Sequence, residues 1–140
     1  MIPIRGWGAR TGKPLTPEKQ AQTQIMAYLC QTGWHVRRNQ QGLGNKKGRS
    51  DIIATRWGIT LHLEVKAPPH LNKNGKMLPA GKPSLEQLAE QAEIRAHGGI
   101  YEFVSTIEEV ERIVKNLRIV IIAKGGLLIV PEKSMRLSCE

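Results

Sequence analysis

Asp51, Glu64 and Lys66 are the residues of this chain best suited to chemistry. Two carboxylates can supply the hard oxygen ligands that Mg2+ requires, and a lysine beside them can steer a water and oppose a phosphate's negative charge. With a divalent metal activating water and neutralising the transition state, such a trio is in outline a phosphodiester-cutting site. The segment from Thr60 to Ala67 alternates, so Leu61, Leu63, Val65 and Ala67 share one face of a strand while His62, Glu64 and Lys66 share the other. Asp51 opens a second run, Ile52 to Arg56, and Gly58 between Trp57 and Ile59 supplies a turn that folds the two runs antiparallel. A Glu-x-Lys triplet alone describes a same-face ion pair on an exposed strand. Joined to Asp51 through the hairpin, it becomes a site.

Positive charge surrounds these acids. The loop from Gly42 to Ser50 carries Lys46, Lys47 and Arg49, with Arg37 and Arg38 just before it. Gly42, Gly44 and Gly48 would let its backbone approach a phosphate chain, a contact that confers affinity without sequence specificity. A solvated surface loop has the same composition. Over 140 residues there are 21 Lys and Arg against 12 Asp and Glu, a net charge of +9, which favours a polyanionic partner such as nucleic acid, with an anionic membrane surface as the competing explanation. The length suits one domain burying roughly two-thirds of its unfolded surface. No run approaches the roughly 18 apolar residues of a membrane span, and the first residues lack a signal peptide's apolar core, so a cytoplasmic protein is expected. Cys30 and Cys139 fit neither a disulfide framework nor a zinc spacing. His35, His62, His70 and His97 form no metal signature; only His62 lies on the face of Glu64 and Lys66.

The elements that would position the trio follow from local signals. Residues 1–15 read as a basic tail, and Thr16-Pro17 as N-cap and first position of a helix to about Thr32, ended by Gly33. Trp34 to Arg38 is the next strand, followed by the basic loop and the two strands of the hairpin. Pro68-Pro69 begins a connection to Pro83, longer than usual and therefore functional or mobile, with Lys73, Lys76 and Lys82 around Gly75 and Gly81. Ser84-Leu85-Glu86-Gln87 matches a capping box. Leu85, Leu88, Ala89, Ala92 and Ala96 supply that helix's apolar stripe, and Gly98-Gly99 ends it. Ile100 to Ser105 reads as a strand and Ile107 to Asn116 as a short acidic helix. Arg118 to Ala123 with Leu127 to Val130 reads as a closing β-hairpin about Gly125-Gly126. This order indicates a mixed sheet with helices on both faces.

The order and its residues resemble the PD-(D/E)xK nuclease superfamily, most closely its VRR-NUC branch of small virus-type replication and repair nucleases, over about residues 16–114. The resemblance implies a restriction-endonuclease-like α/β fold with an α-β-β-β-α-β core, here followed by the C-terminal hairpin. The domain would cover residues 16–116, with 117–140 packed on it as an extension. It assigns site roles to Glu18, Asp51, Glu64, Lys66 and Gln87, with Asp51, Glu64, Glu18 and the Val65 carbonyl as metal ligands. Glu18 also has a simpler explanation in the helix dipole, although it lies seven positions before Ile25 and eleven before Leu29 on the inward stripe. Gln87 is equally explained by the capping box. Ser50 stands where the superfamily places proline before the acid. The 68–83 connection is longer than the compact version, and the terminal hairpin lies outside the resemblance.

The implied activity is Mg2+-dependent endonucleolytic hydrolysis of DNA, with Mn2+ able to substitute. Water attacks directly and leaves a 5′-phosphate, at branched, junction or flap structures in replication, repair or recombination. Arg37, Arg38, Lys46, Lys47, Arg49, Lys73, Lys76 and Lys82 would contact DNA, and a homodimer joined through the terminal hairpin would present two sites. The rivals are a restriction-type or nicking nuclease and a DNA-binding accessory that does not cut.

Overall fold

The structure is a computed structural model that describes residues 14–39, 44 and 46–123. Helix α1, Pro17–Gln31, starts where Thr16 accepts the Lys19 N–H on its hydroxyl at 3.3 Å, with proline at the first position. Ala21, Ile25, Met26 and Leu29 recur at helical spacing, and this face is buried. Strand β1, His35–Arg38, then pairs antiparallel with β2, Ile52–Arg56, which pairs antiparallel with β3, Ile59–Val65.

The β2–β3 turn is two residues long, Trp57-Gly58, and both have positive φ, 54° and 75°. That is the mirror-image turn whose twist matches a hairpin, with glycine at its second position. Trp57 is unusual there. Its indole packs edge-on against Trp34 at 5.9 Å between centroids and lies 4.1 Å beneath the Arg56 guanidinium, contacts that offset the backbone strain.

The segment between Pro68 and Pro83 is ordered rather than a plain loop. Strands β4, His70–Leu71, and β5, Met77–Leu78, pair antiparallel, and the Asn72 side-chain oxygen accepts the Asn74 and Lys76 N–H groups at 2.9 and 2.8 Å. Helix α2, Leu85–Ala96, crosses over to β6, Ile100–Val104, which runs parallel to β3. The main sheet has the order β1-β2-β3-β6. Its α1 face holds the core: Ile52, Ala54, Leu61, Leu63, Val65 and Val104 meet Ile25 and Leu29 of α1 and Val110 of the last helix. The predicted mixed sheet with helices on both faces is what the chain builds.

Two expectations fail. Helix α3 runs from Ile107 through Ala123, so Arg118 to Ala123 is helix and not the first strand of a hairpin; Leu127 to Val130 lies outside the described residues. The β-branched run Ile119 to Ile122 suggested a strand. A helix already nucleated at Thr106, whose hydroxyl accepts the Glu109 N–H, and packed through Val110, Ile113, Val114 and Leu117 propagates through such residues at little cost. The second failure is α2. Its stripe faces outward, with Leu85 82% and Leu88 44% exposed, and the helix buries no residue. It meets the sheet through the other face, where Gln91 donates to the Tyr101 carbonyl at 3.0 Å.

Proline discriminates helix from strand at the disputed segment, since it can begin a strand but breaks a helix interior. Arg118→Pro is expected to lower stability by about 3 kcal/mol in urea unfolding. An unchanged midpoint would return the segment to the hairpin reading.

Candidate active site

The register of β2 on β3 brings the acids together. Ile52 lies opposite Leu63, so Asp51, one residue before the β2 ladder, falls beside Glu64 on the face turned away from α1. Both are withdrawn from water, at 8% and 2% exposure. Asp51 is fixed twice: one side-chain oxygen accepts the Val65 N–H at 3.0 Å, and its carbonyl accepts the Asn39 N–H at 2.7 Å. Glu64 Oε1 accepts from the Gln87 side-chain amide and lies 3.4 Å from Lys66 Nζ. Glu64 Oε2 is buried and meets no hydrogen-bond donor. Burial first, then repulsion from Asp51, raises the Glu64 pKa from 4.5 to about 7, and the attraction of Lys66 does not offset them.

That partnerless oxygen bears on metal binding. A buried acceptor without a donor is costly, and a cation facing it removes the cost. Asp51, Glu64 and the Val65 carbonyl are hard oxygen donors, which suits Mg2+ with water completing its octahedron. Among the described residues no group of three His, Cys, Asp or Glu could hold a metal. Glu18 stands exposed in the first turn of α1 and does not join the two acids.

Lys66 is mostly covered, its side chain 15% exposed. The Gly81 N–H donates to the Ala67 carbonyl at 2.9 Å, which brings the chain that follows β5 over the lysine stem. A β-carbon at Gly81 would lie 3.5 Å from Lys66 Cβ. Gln87 reconciles its two readings. Its side-chain oxygen accepts the Ser84 N–H at 2.9 Å, completing the capping box, while its NH2 group donates to Glu64.

Residues 46–50 at the end of the basic loop are fastened to the protein. Gly48 has φ of +88°, and a β-carbon there would come within 2.4 Å of the Glu86 carbonyl oxygen, so this glycine serves an approach to α2 itself. The Tyr101 hydroxyl donates to the Gly48 carbonyl at 2.8 Å, and Ser50 Oγ lies 3.5 Å from His62 Nδ1. His62 stacks on Tyr101 at 6.4 Å; burial lowers its pKa, against the pull of Glu90. Burial also raises the Tyr101 pKa, with Glu64 and Asp51 adding to it. Lys46, itself exposed, is paired with Glu90 at 3.0 Å, and Arg37, Arg38, Lys47, Arg49, Lys73, Lys76 and Lys82 are exposed as well. Gly42 lies outside the described residues.

Tyr101, Gln91 and Gly81 are site neighbours that sequence reasoning missed. Their roles depend on β6 lying parallel to β3 and on a carbonyl at the end of β3, and no local pattern announces either.

A structure described as a VRR_NUC domain superposes on this chain with a TM-score of 0.56, covering 72% of this chain and 97% of that one. The fold is that of a VRR_NUC domain. Sequence identity over the match is 22%, so the likeness is one of architecture. No protein-family profile matches the sequence, and no curated protein matches it. Within this VRR_NUC fold, Asp51, Glu64 and Lys66 gather at one end of the β2–β3 pair, with Gln87 reaching them from α2.

Two outcomes follow from this geometry. With a folded-state pKa of about 7 against 4.5 when free, Glu64 keeps its proton in the folded chain after the unfolded chain has lost it. Its contribution therefore makes metal-free stability fall as pH rises across that window and level off above it. His62, shifted the other way, works in the opposite sense, so the informative quantity is a difference. In EDTA, the melting temperature of Glu64→Gln minus that of wild type should grow from pH 5 to about 7 and then flatten; a pH-independent difference would contradict the burial of this charge. Gly48→Ala should cost about 2 kcal/mol or more in urea unfolding, because strain and overlap add. Gly58→Ala, at positive φ with nothing within 4 Å of the added carbon, is the control carrying conformational strain alone.

Proposed function

We propose that this protein is a Mg2+-dependent endonuclease hydrolysing DNA phosphodiester bonds, selective for branched, junction or flap structures. The observation that carries the reading is the buried, donorless Glu64 Oε2 beside Asp51, with the Lys66 ammonium held on the same face. The VRR_NUC fold and the net charge of +9 support it.

Asp51, Glu64 and the Val65 carbonyl would hold the metal, which when bound supplies an activated water and relief of the charge on the pentavalent phosphorus. Asp51 is held in place by the Val65 N–H, so its free oxygen keeps one direction. Gln87 fixes the other carboxylate by occupying Glu64 Oε1, leaving Oε2 turned to the site. Lys66 donates to the incoming water and opposes the phosphate charge. Attack on phosphorus breaks the bond to the 3′ oxygen, which leaves protonated by solvent, and the product carries a 5′-phosphate. Glu18, apart from the acids, acts through a water. Arg37, Arg38, Lys47, Arg49, Lys73, Lys76 and Lys82 offer contacts to the DNA backbone, while Lys46 must first leave Glu90. Cutting both strands of a junction requires two sites, so a homodimer belongs to this proposal, with light scattering as its direct measure.

Supercoiled plasmid and synthetic four-way and flap DNA, incubated with Mg2+, Mn2+ or EDTA, test the reading. Asp51→Asn and Lys66→Ala should each reduce cutting by about 100-fold or more, and Glu18→Gln by about tenfold. Cutting that survives Asp51→Asn or EDTA would refute the site. Binding without cutting by the wild type would favour the accessory role, and equal cutting of linear duplex would remove the structure selectivity.

A further inference from the structure

The three residues that lead into Asp51 lie before the β2 ladder, whose last pair is Arg38 opposite Ile52. Sheet hydrogen bonding therefore does not account for where Gly48, Arg49 and Ser50 sit. Two side chains on the site face reach this segment. Tyr101, fully buried, sits opposite His62 in the parallel β3–β6 register and donates its hydroxyl to the Gly48 carbonyl at 2.8 Å, across 53 residues of sequence. His62, stacked on the Tyr101 ring, reaches the hydroxyl of Ser50, itself 2% exposed. Behind Gly48 stands the Glu86 carbonyl, too close for any β-carbon, so the segment is held between the tyrosine hydroxyl and the first turn of α2.

We infer that Tyr101 is a positioning residue: through the Gly48 carbonyl it sets the segment that presents Arg49 and aims Asp51 at the metal. The role rests on the proposed metal site. A tyrosine ring alone would fill this space as phenylalanine does; the hydroxyl is needed because the Gly48 carbonyl, partly buried and outside the sheet ladder, requires a donor there. Arg49 is exposed, flanked by the fastened Gly48 and the buried Ser50, so the same anchor fixes the backbone that carries Arg49 and the backbone that carries Asp51.

The test uses full-length Tyr101→Phe, which keeps the ring, and Ser50→Ala, which removes the hydroxyl facing His62. Mg2+ affinity is measured by titration calorimetry without DNA, DNA affinity in Ca2+, and turnover at saturating Mg2+; circular dichroism establishes folding. Tyr101→Phe should weaken Mg2+ binding by about tenfold and lower kcat with little change in KM for DNA. Ser50→Ala should shift Mg2+ affinity in the same direction by less. Equal Mg2+ affinity in folded wild type and Tyr101→Phe would overturn the positioning role while leaving the nuclease reading intact. A wild type that binds Mg2+ without cutting would refute the nuclease reading, with the affinity comparison still deciding Tyr101. A wild type that takes up no Mg2+ would overturn both.

Discussion

Two carboxylates held side by side away from water are the constraint around which this domain is arranged. Asp51 and Glu64 repel each other, burial magnifies the repulsion, and one lysine does not neutralise both. The surroundings respond with aimed donors: the Val65 N–H to Asp51, the Gln87 amide and the Lys66 ammonium to Glu64. One oxygen remains without a donor. The acids stay in place because the strands carrying them are anchored from behind, where Ile52, Leu61, Leu63 and Val65 are fully buried. Moving Glu64 away would pull its two neighbours on β3 out of the core, so the core holds an unfavourable charge in place.

The same constraint explains the orientation of α2. A helix crossing between parallel strands ordinarily turns its apolar stripe to the sheet, and Leu85, Leu88, Ala89 and Ala92 form such a stripe. The sheet face it must cover carries Glu64, Lys66, His62 and the edge carbonyls of β6 beside the rings of Tyr101 and Phe103, and the polar groups among them need polar partners. Gln87 and Gln91 meet that need, and once they point inward the leucines point out. The stabilising apolar contacts of the domain are concentrated on the α1 side, where α3 joins α1 over the strands.

What was legible in the sequence was local. Alternation along β3 put Glu64 and Lys66 on one face, and the two-residue turn at Trp57-Gly58 brought Asp51 to them; each needs only neighbouring residues to form. The capping box at Ser84 was equally readable, although not that Gln87 would use one end of its amide for the cap and the other for Glu64. The course of α3 was hidden because the β-branched residues after Leu117 favour strand locally, whereas an established helix extends one residue at a time. The rotation of α2 was hidden because it follows from the polarity of a sheet face that exists only after β3 and β6 pair. Glu18 shares the spacing of the buried stripe and stays exposed, since it sits in the first turn, beyond the end of the core that buries Ile25 and Leu29.

Gly48 shows how a correct signal can carry the wrong partner. A glycine in a basic loop before an acid suggests backbone approaching phosphate, but the nearest backbone is the first turn of α2, at the Glu86 carbonyl. The glycine lets the loop lie against the helix whose next residue, Gln87, holds Glu64. Loop, helix and carboxylate therefore meet within two consecutive residues of α2, and Lys46 to Glu90 closes the contact one turn on. Residues 46–50, so fastened, carry the exposed Lys47 and Arg49 on a backbone held from two sides. The fastening also makes the acids and the cations beside them parts of one mechanical unit, so a displacement of α2 would move both.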